Sequence, residues 1–145
     1  MNTTFNLDEM TQAIRACAQA MDSHYGATVF DEWVVVSLQP PQPRILNYFG
    51  PRNYEFRQNF SRDLGTLRAA LLSGNHQAGD FEFARHATGT GFESFMALGD
   101  GLYLICNNTR STMEEIARNP RWLNAQVPFA DLSEKICALA PAYAN

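Results

Sequence analysis

The residues best able to do chemistry are the histidines, and their spacing predicts no metal site. His24, His76 and His86 fall in a predicted turn, loop and strand, without the HxH or HxxxH spacing that brings ligands to one ion. The acidic residues near them are scattered. We therefore expect structural or surface roles for all three histidines and predict no metal ligands.

The cysteines lack the pattern of a reactive thiol. Cys17, Cys106 and Cys137 form no CxxC pair, and each lies among apolar neighbours, as buried reduced thiols do. His86 and Cys106 would lie on strands separated by a third strand, about 10 Å apart. That separation is beyond the reach of a base that must take the thiol's proton. The sequence predicts no nucleophilic pair.

Adjacent carboxylates are equally unsuited to acid–base catalysis. They occur at Asp8-Glu9, Asp31-Glu32 and Glu114-Glu115, where sequence neighbours point apart. Helix capping and compensation of the helix dipole explain two of these pairs. The chain contains no GxSxG, HExxH or SxxK motif. We therefore predict no catalytic residue and no cofactor site, and expect that the protein is not an enzyme.

The glycine-rich stretch ATGTGFESFMALGDGLYLICNNT predicts a hairpin rather than a phosphate-binding loop. A dinucleotide fingerprint would need glycine at Ser94, and a Walker loop would need a nearby lysine, whereas the chain has only Lys135. Gly99-Asp100-Gly101 is instead typical of a tight hairpin connection. We predict a three-stranded antiparallel meander with strands at 80–87, 92–98 and 102–107. Apolar residues at both parities of the last two strands indicate a sheet that is covered on both faces.

The N-terminal half predicts two helices and two strands. Apolar residues at three- and four-residue steps predict a helix at 7–22 and a longer helix at about 54–72. β-branched and aromatic residues predict strands within 28–38 and 44–50. A proline-rich turn at 39–43 joins these strands, because proline offers no N–H to a sheet.

The C-terminal region predicts two further helices. Ser111 and Glu114 have the spacing of a capping box and would open a short helix that ends before Asn119-Pro120. After an irregular crossing, Pro128 suits the first turn of a last helix. Its buried stripe comprises Phe129, Leu132, Ile136 and Leu139, and the tail at 140–145 is expected to fray.

Together these elements predict an α+β fold with a single five-stranded antiparallel sheet flanked by helices, in the order α-β-β-α-β-β-β-α-α. A chain of 145 residues fits one domain, 1–145. The net charge of −4 argues against nucleic acid as a partner. No apolar stretch approaches the roughly 20 residues that cross a bilayer, so we expect no membrane insertion. The N-terminus lacks the features of a signal peptide, which favours the cytoplasm.

This order resembles that of the Roadblock/LC7 family and of the wider profilin-like and PAS-like architectures. The resemblance spans residues 7–118 and is carried by LDEMTQAIRACAQAM, WVVVSLQPPQPRILNYFG, FRQNFSRDLGTLRAALL and FESFMALGDGLYLICNNT. It implies a non-enzymatic homodimer that regulates or scaffolds other proteins, with a small GTPase or motor component as a partner.

In that family the long helix and the edge strand after it make the subunit contact. These correspond here to the 54–72 helix and the 80–87 strand. The implied interface residues are Arg57, Ser61, Gly65, Arg68, Ala69, Phe81, Phe83 and Arg85. A glycine inside a helix costs about 1 kcal/mol relative to alanine. Two explanations for Gly65 stay open: close approach of another backbone, or tolerance of a modest cost.

Two other classes of function also stay open. A PAS-like or profilin-like sensory domain would enclose an apolar pocket of about 300 Å³ or more. Its lining would include Trp33, Phe95, Met96, Tyr103 and Trp122. An enzyme of unfamiliar type would need polar groups that converge in such a pocket, whereas a scaffold would have a filled core and a large apolar outer patch.

Overall fold

A five-stranded sheet and three helices make up the part of the chain described by the structure, a computed structural model. It describes residues 7–39, 41, 43–49, 65, 77–85, 91–99 and 101–143. The strands are β1 (Glu32–Ser37), β2 (Arg44–Phe49), β3 (Phe81–Arg85), β4 (Phe92–Gly99) and β5 (Leu102–Asn108). The helices within these ranges are α1 (Leu7–Tyr25), α2 (Met113–Ala117) and α3 (Trp122–Tyr143).

The strands form one sheet in the order β2-β1-β5-β4-β3, and every neighbouring pair is antiparallel. The predicted α+β fold and the predicted meander are therefore confirmed. Gly99 and Gly101 flank the β4–β5 turn with φ of 94° and 75°, a region that favours glycine. The meander leaves β3 at one edge of the sheet and β2 at the other.

Helices α1 and α3 pack against each other and cover one face of the sheet. The predicted stripe of α1 is buried at Met10, Ile14, Cys17 and Met21, whereas Gln12, Arg15 and Gln19 on its opposite side are exposed. The buried residues of α3 are Ala125, Phe129, Leu132 and Ile136. Burial of each large aliphatic or aromatic side chain contributes about 1.5–3 kcal/mol. This contact ties both ends of the chain to the middle of the sheet.

The other face of the sheet carries a second apolar cluster. It comprises Val34, Val36, Phe95 and Ile105, with Leu38, Ile45, Tyr48 and Tyr103 packed around them. The three central strands are thus buried on both faces, as their sequence pattern indicates.

Helix α3 begins at Trp122, earlier than predicted. The prediction of an irregular segment at 120–128, with Pro128 in the first turn of the helix, is therefore wrong. The carbonyl of Asn119 accepts the N–H of Trp122, and its Oδ1 accepts the N–H of Arg121 at 2.9 Å. Asn119-Pro120 therefore both ends α2 and starts α3. The helix continues to Tyr143, so the predicted frayed tail is also shorter than expected.

The cap of α2 also differs from the prediction. The N-cap is Thr112, whose hydroxyl accepts the N–H of Glu115 at 3.2 Å. Ser111 and its neighbour Arg110 instead donate their N–H groups to Asn108 Oδ1. Because Asn108 holds the backbone of 110–111, the helix starts one residue later than the capping-box spacing predicts.

The predicted helix at 54–72 lies outside the described residues, apart from Gly65. Gly65 is helical and exposed, and a Cβ built on it would meet no atom within 4 Å. The proline-rich turn is described at Pro41, which lies in a turn between β1 and β2.

Candidate functional site

The exposed edge of the sheet is the first candidate site. Strand β3 pairs only with β4 within the described part of the chain. Phe81 on this strand is 38% exposed, although its ring also contacts that of Phe129, with centroids 5.1 Å apart. Phe83 is half-buried beneath α3, where its ring meets Trp122 at 5.8 Å. An edge strand with an exposed aromatic ring can pair with another strand.

The implied interface residues are only partly described. Phe81, Phe83 and Arg85 all lie in β3, so the structure brings these three together on one edge strand. Gly65 is an exposed helical residue. Arg57, Ser61, Arg68 and Ala69 lie outside the described residues.

A cleft of about 710 Å³ is the second candidate site, and it lies near the opposite edge of the sheet. Its walls are the C-terminal half of α1, the 27–31 loop and the segment after β5. Phe30, Trp33 and Phe49 line its apolar side. The Trp33 and Phe49 rings stack, with centroids 6.2 Å apart and planes 11° from parallel. The cleft therefore joins an aromatic surface to polar walls.

Hydrogen bonds hold the wall of this cleft in one conformation. Asp22 Oδ1 accepts the N–H of Val29 at 2.9 Å, and Asn108 Nδ2 donates to the Val29 carbonyl at 2.7 Å. Asp31 Oδ1 accepts the N–H of Thr109 at 3.1 Å, and the Thr109 hydroxyl donates to Asp31 Oδ2. Both polar groups of Val29 are thus fixed by side chains. The loop is organised before any ligand arrives.

Two charged groups that line the cleft can still form hydrogen bonds or ion pairs with a ligand. Asp22 Oδ2 and the Arg110 guanidinium have no hydrogen bond or ion pair with any residue in the described ranges. Partial burial raises the pKa of Asp22 above its usual value, which the hydrogen bond from Val29 partly offsets. An ammonium group beside this carboxylate would favour its charged form. Opposite charges are therefore available in one cleft.

The five residues named for the predicted internal pocket lie on both faces of the sheet. Trp33, Met96 and Trp122 pack with the cluster under α1 and α3, whereas Phe95 and Tyr103 belong to the cluster on the opposite face. Of these five residues, only Trp33 lines the cleft.

A buried polar row crosses the central strands on the face opposite α1 and α3. Glu32 on β1 and Glu93 on β4 both pair with Asn107 on β5, and all three side chains are at most 2% exposed. Tyr48 donates its hydroxyl to Glu32 at 3.3 Å, and Asn107 Nδ2 donates to the same carboxylate at 3.4 Å. Burial raises the pKa of Tyr48, and the negative charge of Glu32 adds to this effect. The Tyr48 hydroxyl therefore stays protonated and remains a hydrogen-bond donor.

The cysteines fall into two classes. Cys17 and Cys106 are buried, as predicted, but Cys137 is exposed on α3, so the expectation of burial is wrong for that residue. Burial raises the pKa of Cys17 to about 12, with Asp131 and Asp22 adding to the effect. Burial, with a further contribution from Cys17, raises the pKa of Cys106 as well. Neither buried thiol can act as a thiolate near neutral pH.

We expect one of the three thiols to react quickly with Ellman's reagent at pH 8 in the native protein. The reagent needs an accessible thiolate, and Cys137 is the exposed cysteine. The other two thiols should react only after denaturation, and Cys137→Ser should remove the rapid phase. Two or more rapid equivalents in the native protein would contradict this assignment.

Within the described ranges, no three His, Cys, Asp or Glu side chains lie close enough together to hold a metal ion. None of the helices in those ranges combines the length and apolar character needed to cross a bilayer. Comparison of the sequence with protein-family models finds no match, and neither does comparison with curated proteins.

Proposed function

We propose that the protein is a homodimeric scaffold or regulatory domain whose subunits join through the β3 edge. The observation that carries this proposal is the position of β3 at the sheet edge with Phe81 38% exposed on it. Such an edge offers unpaired backbone groups to another strand. The Roadblock/LC7 resemblance supports the same contact and implies a small GTPase as the further partner.

The sequence of β3 suits pairing with its own copy. An antiparallel pairing about a two-fold axis at Phe83 would place Phe81 of one copy opposite Arg85 of the other, and Glu82 opposite Ala84. No like charges would meet across this axis, so the pairing carries no repulsion between directly opposed residues.

Gly65 supports a second part of the contact. A Cβ at this exposed helical position would meet nothing within 4 Å, so the glycine is not required by packing inside the subunit. Close approach of a second backbone would explain why a residue that costs about 1 kcal/mol in a helix is present.

The test is sedimentation velocity at micromolar concentration. The wild-type protein should sediment as a species of twice the 16.3 kDa chain mass. Gly65→Leu should weaken the dimer at least tenfold, because the larger side chain would occupy the contact, while the far-UV circular dichroism stays unchanged. Phe81→Lys should also weaken it.

The matched control is Arg44→Glu, which changes an exposed side chain on β2, at the opposite edge of the sheet from the proposed contact. It should leave the dimer intact. A monomeric wild-type protein would overturn the proposal. A dimer that is insensitive to both Gly65→Leu and Phe81→Lys would overturn the assigned interface.

The second candidate function is that of a small-molecule sensor. The cleft of about 710 Å³ favours it, because ligand pockets commonly measure about 300–1,000 Å³. The cleft differs from the enclosed apolar pocket of the sequence-based expectation in having charged and hydrogen-bonding walls. Both candidates are compatible with one chain, since β5 and β4 separate β1 at the cleft from β3.

We also propose that the protein works in the cytoplasm. The three free cysteines support this location, because reduced thiols persist in that compartment. Cell fractionation should recover the protein with the cytosolic fraction, and recovery from an oxidising compartment would contradict the proposal.

A further inference from the structure

We infer that the cleft binds a small zwitterion with an apolar body, the chemistry of an α-amino acid with an aromatic side chain. This inference names the ligand class for the second candidate function and does not depend on the dimer. It rests on three features that meet in one cleft: a carboxylate, a guanidinium and an aromatic surface.

The carboxylate suits an ammonium group. Asp22 is half-buried, and its Oδ1 is already used by Val29 N–H at 2.9 Å, which fixes the orientation of the carboxyl group. Its Oδ2 has no partner within the described residues. A partly desolvated carboxylate with one unused oxygen gains more from an added ammonium than a fully hydrated one does.

The guanidinium suits a carboxylate. Arg110 is exposed and its side chain forms no ion pair within the described ranges, while its backbone N–H is held by Asn108 Oδ1 at 2.9 Å. Arginine presents its donors in a planar fork that matches a carboxylate. The neighbouring Ser111 also lines the cleft and adds a hydroxyl.

The aromatic surface suits an apolar body. Trp33 stacks on Phe49, and Trp33 Nε1 already donates to the Phe30 carbonyl at 3.2 Å. The indole therefore needs no hydrogen bond from a ligand. Trp33 and Phe30 are 3% and 2% exposed, and the Arg15 guanidinium lies 5.1 Å from the centre of the Phe49 ring. A ring placed in the cleft would therefore meet mainly the edges of these side chains. An amino acid lacking an apolar side chain would gain less.

Asp31 also lines the cleft and adds negative charge there. Both of its oxygens already accept hydrogen bonds from Thr109, through its N–H and its hydroxyl, whereas Asp22 uses one oxygen. Asp22 is therefore the carboxylate to which the ammonium is assigned. The two charges of the zwitterion are thus assigned to Asp22 and Arg110.

The probes are L-phenylalanine, phenethylamine and 3-phenylpropionate, each titrated while intrinsic tryptophan fluorescence is recorded. The Trp122→Phe variant leaves Trp33 as the single tryptophan, which assigns the signal to the cleft. L-phenylalanine should bind at least tenfold more tightly than either probe that lacks one of its charges. The fluorescence change should saturate.

Asp22→Asn should weaken L-phenylalanine at least tenfold without weakening 3-phenylpropionate, because that probe has no ammonium group to lose its partner. The loop should stay in place, since the amide oxygen can still accept the Val29 N–H. Arg110→Gln should also weaken L-phenylalanine, but the probe that it should not weaken is phenethylamine, which has no carboxylate. Arg118→Gln and Asp131→Asn are the matched controls, since both residues are exposed and neither lines this cleft.

Equal affinity for the three probes would overturn the zwitterion assignment while leaving the cleft a binding site. No binding of any probe at millimolar concentration would overturn the inference as a whole. Sedimentation of the same samples reports the dimer separately, so failure of the ligand class and failure of the interface give different results.

Discussion

Phe129→Ala is expected to lower the free energy of unfolding by about 3–5 kcal/mol. The Phe129 ring is 1% exposed and lies between α3 and the sheet. Its centroid is 5.1–6.4 Å from the rings of Phe30, Trp33, Phe81 and Phe83. Removing the ring would leave a cavity between α3 and the three elements that it contacts, which are the 27–31 loop, β1 and β3. A domain of this size has only about 5–15 kcal/mol in total.

The measurement is urea unfolding followed by tryptophan fluorescence. Val127→Ala is the control on the same helix, because Val127 is 50% exposed and its truncation should change the unfolding free energy by no more than about 0.5 kcal/mol. A loss below about 1 kcal/mol for Phe129→Ala would mean that α3 is not docked on the sheet as described.

Gly79→Ala is expected to cost about 2–5 kcal/mol, from backbone strain and a clash with α3 together. Gly79 has φ of 92°, and its Cβ would lie 2.8 Å from the Ser133 carbonyl oxygen and 3.1 Å from Cys137 Cβ. The Ser133 hydroxyl donates to the Gly79 carbonyl, and the Gly79 N–H donates to Ala97 at 2.7 Å. Neither neighbour can move without displacing helix or strand backbone.

Gly101→Ala separates the two contributions to this cost. Gly101 also has a positive φ, 75°, but its Cβ would meet the flexible side chain of Gln39 at 2.9 Å rather than helix backbone. We expect a smaller loss of about 1–2 kcal/mol there, mainly from backbone strain, because the Gln39 side chain can shift without moving helix backbone. Thermal unfolding of both variants gives the comparison. If Gly79→Ala and Gly101→Ala lose equal stability, the close approach of α3 to Gly79 adds nothing to the cost of the Gly79 substitution.

The sheet could be predicted from the sequence because its signals are local. The glycines at 99 and 101 mark the β4–β5 turn, and the strands on either side of them contain the β-forming residues Phe92, Phe95, Tyr103 and Ile105. The buried stripe of α1 is likewise read directly from residue spacing. Each of these features depends on residues within about twenty positions of one another, so no knowledge of the tertiary contacts is needed.

The sequence predicts the start of α3 too late because one signal has two meanings. Asn119-Pro120 marks the end of α2, as predicted, but the same pair also caps the following helix. Pro128 is itself typical of a first helical turn, which explains the later predicted start. In the structure it lies inside α3, and its carbonyl accepts the Cys17 thiol at 3.4 Å.

The cleft could not be predicted because its parts are distant in sequence. Asp22, Phe49 and Arg110 come from a helix, an edge strand and a loop, and each has an ordinary local environment. One signal is present in the paired asparagines at the end of β5. The second of them, Asn108, forms hydrogen bonds to Val29 and to the backbone of 110–111, and so builds the wall.

We expect the row formed by Glu32, Asn107 and Glu93 to favour one alignment of the central strands. Strand β1 reads EWVVVS, with apolar side chains at both parities, so apolar packing alone would accept either side turned to α1. A slip by one position would turn the Glu32 carboxylate toward the apolar cluster under α1 and α3, where burial of an unpaired carboxylate costs several kcal/mol. We therefore expect misaligned pairings to be disfavoured by two acids and an amide rather than by the valines.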